Sequence, residues 1–319
     1  METFEFRAMN TDILLAGQGA SSNLEAGFDK AHDLIWEGEK RFSRFLENSE
    51  LSRLNRSAGS WFPASPEMFA VLRLAQRYHL MTAGLFDPSI LPDLRRMGYD
   101  RSMDLIREQA VVPAAETDPD RMPRPAFKEM KLELGKRQVF LPLGLAIDLG
   151  GIAKGWLAEQ AAQSLAEFAD ACVVNAGGDM YMVGHLQGSA EWPVALEDPR
   201  EPARTLSTFY ARAGGVATSS MTRRTWRQHS ARGDQPRHHL IDPRTGEPSI
   251  GDWLSVTVIS AHTHLSEVFA KALLIAGPRE ADRLVVTETS PFTYIAVDRE
   301  GKLSGTHPIL EMQHDHQTQ

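Results

Sequence analysis

IDLGGIAKGWLAEQAAQSLAEFADACVVNAGGDMYMVG, residues Ile147 to Gly184, decides how the rest of the chain is read. A short apolar run, Gly144 to Ile147, ends on Asp148 and Gly150-Gly151, and Lys154 follows in the next turn. From Ile152 to Phe168 the spacing is helical. Ile152 and Trp156 lie four apart, as do Leu157, Ala161 and Leu165, while Glu159, Gln160, Gln163 and Glu167 fall to the wet side. A second apolar run, Cys172-Val173-Val174, ends on Asn175 and another turn, Gly177-Gly178-Asp179. The pattern predicts strand, glycine turn, helix, strand, glycine turn, strand.

The first turn suits an anion. Unpaired N–H groups open every helix, and glycine there removes the Cβ that would keep a phosphate from the backbone. Lys154 adds a full positive charge. Asp148 repels a phosphate, so it is suited to accept a hydrogen bond from a base or to hold a cation. The same glycines equally serve a tight turn under a helix cap, since the spacing is neither GxGxxG nor a P-loop.

Working outward, 319 residues with 42% hydrophobic and 24% charged side chains give a globular protein with ample core. A net charge of −8 argues against general nucleic-acid binding, which needs a basic face. The single cysteine, Cys172, sits in an apolar run and reads as a buried structural thiol. The eleven histidines form no HxxxH or HExxH pattern, and His307, His314 and His316 fall in a polar tail. Glu2 and Glu5 stand where a signal peptide needs positive charge, and no window reaches membrane-span length. A cytoplasmic location is the expectation.

Phe4 to Ala16 reads as a strand interrupted at Met9-Asn10-Thr11, and Asn23 to Lys40 as a helix with Leu24, Phe28, Ala31, Leu34 and Ile35 inward. The following RFSRFLENSELSRLNRSAG is polar, with Phe42 and Phe45 embedded. Such an aromatic either stacks on a flat ring or plugs a loop onto the core. Pro66 to Thr82 is helical, and Gly84, Pro88 and Pro92 then force irregular backbone. A proline-rich surface excursion occupies the region between Arg101 and Lys128, and Lys131 to Leu145 alternates as a hairpin. Trp192 to Glu197, Phe209 to Ala211, Leu254 to Ser260 and Pro291 to Val297 read as strands, and Leu265 to Ala276 as a helix. Gly214 to Ser220 reads as a third glycine and hydroxyl turn, and His238, His239, Asp242 and Arg244 gather at a Pro-turn-Gly corner. Glycine turns collected at one sheet edge predict a pocket for something phosphorylated.

AIDLGGIAKGWLAEQAA followed by VVNAGGDMYMVG resembles the motifs of the FAD:protein FMN transferases, the ApbE-like flavin transferases. Further blocks keep the family's order. RAMNT is similar to its Met-Gly-Thr strand, with Asn10 for Gly. RFSRFLENSELSRLN is similar to its Ser-rich flavin loop, and GLFDPSILP to its Phe-Asp-Pro segment. GGVATSS, HHLIDPRTGEP and the helix at Glu267 to Gly277 complete the series. The resemblance implies a single-domain α/β fold, ApbE-like (T-fold-like), with mixed sheets, packed helices and ligand loops gathered at one edge. The blocks run over roughly residues 7 to 277, and the domain is expected to span 1–306, with 307–319 a polar tail.

The reaction implied splits FAD at its pyrophosphate, releases AMP and joins FMN to a Ser or Thr hydroxyl of an acceptor flavoprotein. The alternatives are a FAD pyrophosphatase, with water replacing the hydroxyl, and a FAD-binding protein without turnover. By the same resemblance, Met9, Phe45, Leu85, Phe86 and Asp87 line the flavin or adenine moieties. Asp148 anchors a FAD hydrogen-bonding group, Lys154 contacts the phosphates, and Thr218 and Ser219 close the pocket. His239 is the proton acceptor, while His238 is expected to be structural. The family's Mg²⁺ ligands map to the Gly151 carbonyl, Glu267 and, four residues on, Lys271. An ammonium cannot ligate Mg²⁺, so either Mg²⁺ binds weakly or Lys271 replaces it; replacement is the expectation, with Glu267 pairing to Lys271.

Overall fold

The computed structural model describes residues 1–113, 125–229, 233–285 and 290–308; the core of the proline-rich excursion and His314 and His316 lie outside them. In chain order, β1 (Glu2–Ala8) and β2 (Thr11–Gln18) precede α1 (Ser21–Phe42), α2 (Glu50–Arg56), β3 (Trp61–Pro63), α3 (Pro66–Met81), α4 (Leu91–Arg96) and α5 (Met103–Arg107). β4 (Lys131–Glu133), β5 (Gln138–Phe140), α6 (Ala153–Leu165), β6 (Ala171–Ala176), β7 (Asp179–Gly184), β8 (Trp192–Asp198), β9 (Glu201–Ala211) and β10 (Gly214–Ser220) follow. The chain continues through β11 (Thr225–Gln228), β12 (Gln235–His238), β13 (Ile241–Asp242), β14 (Glu247–Pro248), β15 (Trp253–Ser260), α7 (Thr263–Ala276), β16 (Phe292–Asp298) and β17 (Leu303–Gly305). Two compact units result: residues 1–36, 154–222 and from 250 onward form the first, and residues 37–153 and 223–249 the second.

The first unit is built on an eight-stranded sheet in the order β1-β2-β6-β7-β10-β15-β16-β17. Every neighbouring pair in it is antiparallel, so the mixture is of helices with sheets rather than of strand directions. Leu24, Phe28, Ala31 and Ile35 of α1 and Ala158, Ala161, Ala162 and Leu165 of α6 cover one face, packing on Ile13, Leu15, Cys172 and Val174. Each fully buried Leu, Ile or Phe there contributes about 1.5–3 kcal/mol. Cys172 is the structural thiol expected, its titration pushed up to about 12 by burial. Trp192, Val194, Leu196, Phe209 and Ala211 of the β8–β9 ribbon pack with Met182, Val216, Ile295 and Val297 as a second cluster. α7 is buried over almost its whole length, including the polar residues Thr263, His264, Ser266 and Glu267 of its first half.

The expected interruption at Met9-Asn10 is a two-residue hairpin turn, with Ala8 opposite Thr11 and both turn residues at positive φ (52° and 59°). Gly177-Gly178 makes the second such turn, between β6 and β7. Gly214 to Ser220 is a correction: it is a central strand, paired on both sides. Its glycine serves a close approach, since a Cβ on Gly215 would lie 2.6 Å from Thr263 Cα. Gly144 to Ile147 is also corrected, as it carries no ladder.

In the second unit the β4–β5 hairpin pairs with β3. Leu94, Met97, Tyr99, Met103, Ile106, Val112, Trp226 and Ile241 form a core. α2 lies in the mainly polar stretch, with two leucines turned inward. Ser49 caps it, its hydroxyl accepting from the Ser52 N–H at 2.9 Å, and Leu51 and Leu54 are buried. No helix among the described residues is long and apolar enough to cross a membrane.

Candidate functional site

The second unit carries Asp148 on a fixed mount. Asn55 holds the preceding residue from both sides, its amide donating to Ile147 O at 2.9 Å and its oxygen accepting the Ile147 N–H at 2.9 Å. The Asp148 N–H donates to Pro88 O at 2.8 Å, and its carboxylate accepts the Gly150 N–H at 3.2 Å. The Arg44 guanidinium lies against that carboxylate, Nε 3.3 Å from Oδ1, with the arginine side chain only 5% exposed. Its flat face is 4.2 Å from the Phe45 ring centroid and 4.4 Å from that of Tyr99. Arg44 Nη2 is buried with no hydrogen-bond partner among the described residues. An orphaned donor of this kind costs about 1–3 kcal/mol unless something accepts from it.

Nearby in sequence, Asp87 Oδ1 accepts from the Ser89 N–H (2.7 Å) and hydroxyl (2.6 Å), capping a 3₁₀ turn. Asp87 and Ser89 line a groove of about 240 Å³ with Asp93, Gly144, Ala146 and Pro243. Leu85 and Phe86 are almost wholly buried, so they back this loop as core. At the His corner, His238 Nε2 lies 3.0 Å from Ser249 O and its Nδ1 accepts the Leu240 N–H at 3.3 Å. Burial holds its pKa below the ordinary histidine value, and the residue is structural as expected. His239 is half-buried beside it.

The first unit holds a cluster of opposite charges. The Lys154 ammonium donates to Asp179 Oδ2 and, at 2.6 Å, to Glu267 Oε1, while Glu267 Oε2 accepts the Gly155 N–H at 2.9 Å. Asp179 and Glu267 are both nearly inaccessible. Burial pushes Asp179 up to about 6, with Lys154 opposing and the Glu267 charge adding. Burial acts on Glu267 in the same direction, but Lys154 and Lys271 outweigh it and hold that carboxyl below its usual range. Lys154, expected at the phosphates, contacts two buried carboxylates here. Glu267 takes its direct charge contact from Lys154, and Lys271 adds its field to both acids.

Of the remaining candidates, Met9 packs at the hairpin tip against the α1–α6 core. Thr218 and Ser219 are successive residues of β10 and point to opposite faces. Thr218 Oγ1 pairs with Thr257 Oγ1 at 2.8 Å across the ladder, and Ser219 is buried. The two therefore do not line a common wall. Gly151 lies in the turn before α6. Sequence reasoning missed Arg44, Asn55, Tyr99 and the role of Asp179. Arg44 adjoins Phe45 in RFSRF, and Asp179 closes the second Gly-Gly-Asp turn, so each stood beside a recognised feature.

The ApbE family model matches residues 9–294, and the chain belongs to the ApbE family. It is 27% identical over 280 residues to a FAD:protein FMN transferase of Treponema pallidum, covering 81% of this chain and 73% of that one. It is 25% identical over 288 residues to one of Vibrio cholerae, covering 89% and 83%. The solved ApbE protein of Thermotoga maritima has the same fold, with a TM-score of 0.80 at 22% identity over 98% of both chains.

Proposed function

We propose that this chain is a FAD:protein FMN transferase. It splits the FAD pyrophosphate, releases AMP and leaves FMN joined through a phosphoester to a Ser or Thr of an acceptor flavoprotein. The observation that carries the reading is the family match over residues 9–294, which runs from Met9 through all the later motif blocks. The acceptor oxygen attacks the FMN-side phosphorus, the bridging P–O bond breaks, and the AMP phosphate leaves with the electron pair. His239 takes the hydroxyl proton, a task suited to an imidazole, whose ordinary pKa is roughly 6.5.

The geometry around Asp148 supports its role as an anchor for FAD. Its carboxylate is held by Arg44, and the orphaned Arg44 Nη2 offers a donor to an incoming oxygen. Phe45 gives one side of its ring to Arg44, which supports a positioning role for this aromatic. Leu85 and Phe86 support the Asp87 loop from behind.

Mg²⁺ does not fit the carboxylate expected to hold it. Both Glu267 oxygens are engaged, one by an ammonium and one by a backbone N–H, and Lys271 brings a second ammonium into the field. Divalent and ammonium charges a few ångströms apart repel by several kcal/mol, roughly, at an effective dielectric near 20. The chain's own lysines supply positive charge there. We infer that Lys154, more than Lys271, stands in for the ion.

The test is titration of the full chain with FAD, following flavin fluorescence, with released AMP quantified in parallel. Saturable quenching below roughly tens of micromolar FAD is expected. Its absence removes the assignment, and AMP release without covalent flavin points to the pyrophosphatase.

A further inference from the structure

α6 and α7 converge on a second cluster that the transfer reading leaves unused. Glu159, in the middle of α6, has a side chain 4% exposed, and His262 and His264 flank Thr263 at the start of α7. His262 Nδ1 lies 2.9 Å from Glu159 Oε1, and His264 Nε2 lies 3.9 Å from Oε2. The two imidazoles are stacked, 5.0 Å between centroids and 8° from parallel. One ligand atom from each of the three residues falls within 4.8 Å of the others.

We propose that Glu159, His262 and His264 form a transition-metal site of the Zn²⁺ class. Two imidazoles and one carboxylate make a three-ligand set that leaves a fourth position for water. Imidazole selects Zn²⁺, Cu²⁺ or Ni²⁺ over Mg²⁺ and Ca²⁺. Tetrahedral Zn²⁺ with bonds of about 2.0–2.2 Å sets its ligand atoms roughly 3.3–3.5 Å apart. Glu159 and His262 are already closer than that, and His264 is within a side-chain adjustment of it. His262, 53% exposed, can swing and gives the ion a path from solvent. The Thr263 N–H donates to Glu159 Oε2 at 3.0 Å, which orients the carboxylate from behind as an outer-shell partner does.

The ion would clamp α6 to α7. Lys154 lies five residues before Glu159 and Glu267 three residues after His264, so the clamp fixes the two helices that carry the buried charge cluster. The site stands independently of flavin transfer.

The experiment strips the full chain of metal by chelation and titrates it with Co²⁺ as a spectroscopic probe, followed by Zn²⁺ competition. Visible d–d bands of a tetrahedral site are expected, saturating at a single equivalent and abolished by Zn²⁺. His262→Ala and Glu159→Gln should each weaken binding at least about tenfold. His262 is half exposed, so its variant is expected to keep the wild-type circular dichroism. Absence of the bands overturns the site, as does Co²⁺ binding that survives His262→Ala unchanged. None of these measurements uses FAD, so a failed metal site and a failed transferase are told apart.

Discussion

Arg44 forms a largely buried ion pair with Asp148, and its removal has a definite cost. Arg44→Met would leave the Asp148 carboxylate without its cation and the Phe45 and Tyr99 faces without the guanidinium between them. Deleting one partner of a buried ion pair typically costs about 3–5 kcal/mol. Asp148 keeps 15% of its side chain exposed, so a loss at the low end, about 3 kcal/mol, is expected in urea unfolding. His239→Ala separates chemistry from binding. It should lower FMN transfer by about 10²–10⁴ while leaving FAD affinity within a few-fold. Asp148→Asn should instead weaken FAD binding itself, measured by the same fluorescence titration. Full turnover in His239→Ala would move the base to another residue. These two positions were legible because HHLIDPRTGEP and IDLGG are local strings that carry the family resemblance. Arg44 was not legible, since its partner Asp148 is more than a hundred residues away in the sequence and nothing local marks the pair.

At the scale of elements, β10 and α7 meet through glycine. A Cβ on Gly215 would stand 2.6 Å from Thr263 Cα, and one on Gly155 would stand 2.8 Å from Thr263 O. Gly215→Ala should therefore push α7 off the sheet and cost roughly 3 kcal/mol, the upper range for overpacking, visible as a lower urea midpoint. That contact explains why Gly214 to Ser220 reads as a turn in the sequence. Glycines followed by small hydroxyl residues have turn composition, and the helix that demands them comes 48 residues later. Gly177-Gly178 is different: the strands it joins flank it directly, so the hairpin was legible. α2, with seven residues, is too short for its periodicity to show.

The α6–β7–α7 junction has a pH signature. Asp179 titrates near 6, above the ordinary aspartate value of 3.8, so the native state holds its proton longer than the unfolded chain does. Its effect on stability is thus a penalty that grows as pH rises from about 4 to about 6 and is complete above that. Glu267, held low, works the other way, and its contribution is lost as pH falls through its depressed value. Asp179→Asn should flatten the first trend. Across pH 4 to 6 the variant should gain on wild type by up to about 3 kcal/mol in chemical denaturation. Parallel curves over that range would show that Asp179 stays ionised.

For the whole molecule, the charge cluster sets the expected metal response. Adding Mg²⁺ to chelated protein should change FAD affinity by less than about twofold, because Lys154 already occupies the Glu267 carboxylate. A large Mg²⁺-dependent gain would return Glu267 to the ligand set and turn Lys154 outward. Transfer of FMN to protein is measured by incubating the chain with FAD and a flavin-depleted cell extract, then reading covalent flavin fluorescence on a denaturing gel against AMP released. A fluorescent acceptor band and one AMP per flavin attached are expected, both lost in His239→Ala. AMP with no fluorescent band, or a band that persists undiminished in His239→Ala, would contradict this expectation.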